Sequence, residues 1–153
     1  MEETKEKYNK LKKKFTQLPD FDNINKEFDI ENTDKISLAS IRKKIEEKIE
    51  LCLDALERIL NPEPTNLADL YEYKFFTQEE KEYAFKIFKQ LMQLYRASLE
   101  SELTANKEEQ AKTINKICAE FPEQREKMIP LIKKSKESWK KDIEHKEILR
   151  YMG

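Results

Sequence analysis

Few residues in this chain could do chemistry. His145 is the only histidine, Cys52 and Cys118 are the only cysteines, and Gly153 is the only glycine. A helix-borne di-iron site needs a Glu-x-x-His from each of two helices and two further glutamates. Asp142-Ile143-Glu144-His145 is the one place where carboxylates flank a histidine, and it has no second copy. Zinc asks for paired ligands at short spacing, whereas Cys52, Cys118 and His145 lie far apart. A Ser or Cys nucleophile needs a base beside it, usually a histidine oriented by a carboxylate. His145 reads as an exposed residue of a terminal helix, and both cysteines fall inside amphipathic patterns, where Cys behaves as a small buried hydrophobe. Without internal glycine, neither a GxGxxG turn nor a P-loop can be written. The expectation is a non-enzyme with no catalytic residue, metal or cofactor.

Two groups of residues remain. Tyr71-Glu72-Tyr73-Lys74-Phe75-Phe76 is dense in aromatics. On a helix Leu67, Leu70, Tyr71 and Phe75 share a face, so Tyr73 and Phe76 point elsewhere, either under neighbouring helices or into an exposed patch. An exposed aromatic patch often marks a partner site, which makes Tyr73 and Phe76 the candidate partner-binding residues. The second group is the basic stretch from Lys133 to Lys141, with Lys10, Lys12, Lys13 and Lys14 forming another. Lys133, Lys134, Lys136, Lys140 and Lys141 could neutralise phosphates while Trp139 stacks on a base. Against that, Trp139 keeps step with Ile132 and Ile143 on an apolar stripe, which reads as inward. Arginine, the better phosphate and base reader, is also scarce.

These residues must be placed by helices. Tyr8, Leu11, Phe15 and Leu18 make one stripe over about residues 3–18, and Pro19 ends it. Residues 19–36 read as an acidic connector, extended or broken-helical, with Phe21, Ile24, Phe28 and Ile30 as anchors. A second helix runs from near Ser37 to Leu60 and stops at Asn61-Pro62-Glu63-Pro64. Asn66 caps a short third helix, and Thr77-Gln78-Glu79-Glu80 is a capping box that opens a fourth over about 78–103. That fourth helix is apolar over most of its circumference, which predicts that it is packed on several sides and central. Asn106 opens a fifth ending near Glu120, Pro122 starts a sixth, and Pro130 should kink or split it before a last run to about Leu149.

Composition agrees. The chain has 153 residues, 38% hydrophobic and 40% charged, which suits one domain with a real core. It contains no Val, which argues against strands. The expectation is therefore an all-α single-domain bundle of six to seven helices. It divides into 1–18, the connector 19–36, the central helices 37–121 and the basic C-terminal helices 122–153. The net charge of −1 gives no global drive toward nucleic acid, but segment 61–80 is acidic and 122–153 basic. Lys/Glu/Ile/Asn-rich usage is also what an AT-rich genome produces. With no apolar run near the roughly 20 residues a span needs, and a charged start, the chain reads as reduced, intracellular and cytoplasmic.

Ile41-Arg42-Lys43-Lys44-Ile45-Glu46 with Arg58 resembles the first helix of the all-helical chorismate mutases, in which two arginines bind the substrate's carboxylates. The resemblance implies Arg42 and Arg58 as ligands. It departs from the family at Glu46, usually Asp, and at Asp69, where a lysine is expected. LYEYKFFTQEEK, KESWKK and the closing RYMG are similar in texture to small all-helical archaeal proteins of unknown function, and carry over no site residue. The residues point first to a non-catalytic protein-interaction or scaffold module. The alternative is an RNA- or ribosome-associated factor using the C-terminal lysines.

Overall fold

A computed structural model describes residues 2–141. The protein is all-α: α1 (Glu2–Lys14), α2 (Phe21–Phe28), a 3-10 turn (Ile30–Asn32), α3 (Leu38–Leu60), α4 (Leu67–Tyr73), α5 (Gln78–Thr104) and α6 (Lys107–Ser138), with no strand among the described residues. The expectations for Ile143 and His145 lie outside the described residues. No described helix is long and apolar enough to cross a membrane. By its internal contacts the chain groups into two compact units. Among the described residues, one comprises 2–51 and Met92–Pro122, the other Cys52–Leu91 and 123–141.

Helix starts follow the side chains that can receive the free N–H groups of a first turn. Ser37 Oγ accepts from Ser40 N–H at 3.1 Å while Ser40 Oγ accepts from Ser37 N–H at 2.9 Å, a reciprocal cap on α3. Thr77 and Glu80 do the same for α5, at 3.1 and 2.9 Å. Asn106 Oδ1 accepts from Glu109 N–H at 3.1 Å and opens α6. Between α5 and α6 the turn places Ala105 at φ 56°, a left-handed conformation that costs a Cβ-bearing residue about 1–2 kcal/mol.

In the first unit the core is built from Tyr8, Phe21, Ile24, Phe28, Ile41, Ile45, Ile49, Ile114, Ile117 and Phe121, all buried. The Tyr8 hydroxyl donates to the Pro19 carbonyl at 2.6 Å, and its ring packs 5.6 Å from Phe21. The expected connector is helical here. Phe21, Ile24 and Phe28 step by three and four, so about two turns of helix bury all three against the core. Asp29, left-handed at φ 54°, ends it, a conformation Asp tolerates better than most residues.

α6 corrects the expected break. It runs unbroken past Pro122 and Pro130, although each proline leaves the carbonyl four residues earlier without its N–H donor. Phe121, Gln124, Met128 and Leu131 form a buried stripe through both positions, so packing outweighs the lost hydrogen bonds. The fourth predicted helix, α5, is not buried all round. Ala84, Ile87, Leu91, Leu94, Ser98 and Ser101 make one buried stripe, while Phe85 is 49% and Leu103 76% exposed. An apolar face on a helix is therefore no guarantee of a neighbour.

Candidate functional site

The second unit holds the aromatic run, and α4 positions it. Asn66 Oδ1 accepts from Asp69 N–H at 3.1 Å and caps α4. After Tyr73 the chain tightens into i→i−3 turns, Phe75 N–H to Glu72 and Phe76 N–H to Tyr73, before α5 begins. This short helix turns Tyr71 inward. Its hydroxyl donates to the Ser138 carbonyl at 2.8 Å, and its ring stacks on Trp139 with centroids 4.2 Å apart and planes 27° from parallel. Trp139 Nε1 donates to Glu72 at 2.6 Å. Phase alone had put Trp139 and Ile132 inside, but they are 49% and 43% exposed. Their stripe diverges from the buried one through Met128, Leu131 and Ser138, and Trp139 falls just past the end of α6.

Beside this cluster lies a cavity of about 290 Å³. α3 contributes Ala55, Arg58 and Ile59, and α6 contributes Ile132 and Ser135. Ala68, Asp69, Glu72, Tyr73 and Phe76 complete the wall. Tyr73 is half-buried, with the Lys81 ammonium 3.6 Å from its ring centroid. Phe76 is buried, so it is a wall of this cavity and not the exposed patch that was one expectation for it.

Asp69 is the polar residue that sequence reasoning missed. It is 6% exposed, and its Oδ2 is shielded from solvent without a hydrogen-bond partner. Arg58 lines the same cavity, is exposed, and makes no ion pair with it. The Asn-x-x-Asp spacing signalled a cap, which concerns the Asp69 backbone. Nothing local told that the carboxylate is buried.

The lysine stretch is less free than its composition suggests. Lys134 pairs with Glu80, Lys140 with Glu137 at 3.4 Å, and Lys141 sits 4.9 Å over the Phe75 ring. Lys133 and Lys136 are exposed. In the first unit, Lys7, Lys10, Lys14 and Lys35 line a groove of about 340 Å³ together with Asp34. Among the described residues no cluster of His, Cys, Asp and Glu could hold a metal ion.

The arginines of the chorismate-mutase resemblance take different surroundings. Arg42 is buried in the first unit, 3.6 Å from Glu46 and 3.4 Å from Glu102. Its guanidinium already faces the protein's own carboxylates. Arg58 belongs to the second unit. Cys52 and Cys118 are both half-buried. Burial, with the Glu27 carboxylate adding to it, pushes Cys118 up to about 12, so it is no nucleophile. Compared with protein families, curated proteins and solved structures, the chain finds no match.

Proposed function

We propose that this chain is a non-catalytic protein-interaction module of the cytoplasm, docking a partner at the aromatic cluster and cavity around α4. The observation that carries the reading is Trp139. It is half-exposed yet held by the Tyr71 ring and the Glu72 carboxylate. A large aromatic fixed at a surface loses little conformational freedom on binding and is the kind of residue that dominates interface energies. Segment 61–80 carries five acidic residues against Lys74, so the partner segment that complements it is basic.

The test is a photo-crosslinking amino acid in place of Tyr73, in cells. Protein adducts should form, survive nuclease, and disappear when Trp139→Ala is added. Adducts indifferent to Trp139, or none at all, would sink the reading.

The second reading, an RNA- or ribosome-associated factor, rests on the exposed Lys133 and Lys136. It requires affinity for an oligouridine to fall steeply between about 50 and 200 mM salt, through counterion release. Neutralising Lys133, Lys134, Lys136, Lys140 and Lys141 together would then flatten that slope, and Tyr73→Ala would do little.

A further inference from the structure

We propose that the cavity takes a lysine side chain of the docked segment, its ammonium held by Asp69 and its methylenes lying against Tyr73, Phe76 and Ile132. The proposal rests on the interaction reading above and names the chemistry of that same site. A carboxylate oxygen taken out of water without a donor is expensive, and a buried acidic group is normally paired or hydrogen-bonded. Asp69 Oδ2 has neither. Arg58, the one cationic residue of the wall, makes no ion pair with it, so that guanidinium does not supply the donor. Asp69 lines the cavity, and rotation about its soft terminal torsion brings the unpaired oxygen to a group arriving there.

The rest of the wall narrows the ligand. Within the wall, Asp69 and Glu72 bring two carboxylates against the one guanidinium of Arg58. Glu72 gives Oε2 to the Trp139 indole, so the same contact that fixes Trp139 also holds the second carboxylate in place. At about 290 Å³ the space falls just under the roughly 300–1,000 Å³ of small-ligand pockets, which suits one long side chain and not a nucleotide. Aromatic and aliphatic walls suit the stem of a lysine, whose apolar methylenes pack readily while its head keeps a polar partner. A single orphaned oxygen matches a compact ammonium better than the bidentate fork of a guanidinium.

The probe is n-butylammonium, the stem and head of lysine, titrated into the full chain with amide chemical shifts as readout and n-butanol as the neutral control. Saturable shifts should centre on residues 66–76, with n-butanol at least about tenfold weaker, the scale of one charge-assisted hydrogen bond. Asp69→Asn should erase that preference, and Arg58→Gln, which removes a like charge, should strengthen n-butylammonium binding. Equal binding of the two probes by the unmodified protein would overturn the proposal without needing any variant to fold. So would an undiminished preference in Asp69→Asn. If the probes fail in this way while the Tyr73 crosslinks persist, the interaction reading stands and only the lysine is lost. If n-butylammonium binds but no protein adduct forms, the partner's lysine is excluded together with that reading.

Discussion

Tyr71 donates its hydroxyl proton to the backbone carbonyl of Ser138, 67 residues further along the chain, at 2.8 Å. Ser138 is the last residue of α6, and its carbonyl also accepts from the Lys141 N–H at 3.3 Å in the turn that follows. The bond thus ties α4 to the end of α6, beside the one tryptophan in the protein. Tyr71→Phe keeps the ring and deletes the donor. It should cost about 1 kcal/mol, lowering Tm by about 2–4 °C, with tryptophan emission unchanged. Tyr71→Ala should also shift that emission to the red as the stack is lost. Equal stability of Tyr71→Phe and the parent would show that the carbonyl is satisfied without the hydroxyl.

The two faces of α5 should differ in energy. Leu91 is fully buried, and Leu91→Ala should cost about 2–5 kcal/mol in urea unfolding. Phe85→Ala and Lys89→Ala, on exposed positions, should stay within about 0.5 kcal/mol. Phe88 is half-buried and should fall between them. A Phe85→Ala cost equal to that of Leu91→Ala would mean that the outer face is covered in solution.

Ala105 offers a stabilising change. Its φ of 56° suits glycine, and its N–H already bonds the Glu102 carbonyl at 3.1 Å in the turn that ends α5. Ala105→Gly should raise stability by about 0.5–1 kcal/mol, the relief of left-handed strain less the extra freedom glycine brings to the unfolded chain. A lower Tm would show that the strain is smaller than that entropy.

Stability should fall in acid. Partial burial works against ionisation of Glu80, but its bonds to Lys134 and Thr77 outweigh that and hold the carboxyl below its ordinary value of 4.5. Asp20 is likewise held low by its hydrogen bond to Lys12. A depressed folded-state value means that the unfolded chain binds the proton more readily. The contribution is therefore present above the ordinary carboxyl range and lost as pH falls through the folded one. Urea midpoints should drop from pH 5 to pH 3, and Glu80→Gln should reduce that drop. An identical pH dependence in Glu80→Gln would remove the ion pair from the account.

Cys118 should be inert in the folded protein. With its thiol pushed up to about 12, only about one part in ten thousand is thiolate at pH 8. In a Cys52→Ala background, labelling by a thiol reagent should be slow without denaturant and rapid in urea. Fast labelling of the native protein would place Cys118 in a more open setting than its burial implies.

Helical class, and where most helices start, were legible locally. The missing Val, the absence of internal glycine, and the caps at Asn66, Thr77 and Asn106 act within a few residues of themselves, and the structure uses every one of those caps. Tyr73 and Phe76, singled out from the aromatic run, both line the cavity. What neighbours supply was not legible. Pro122 and Pro130 read as breaks, yet the buried stripe of α6 carries the helix through them. Phe85 and Leu103 read as core by phase, but burial needs a facing surface, which no sequence period contains. Trp139 shared a phase with inward positions and lies half-exposed against Tyr71. Asp69 looked like one more acid of a solvated segment, and only the packing of α3, α4 and α6 encloses its carboxylate. Capping and turn chemistry are decided by bonds between near neighbours, whereas enclosure is decided by segments that meet only when the chain has folded.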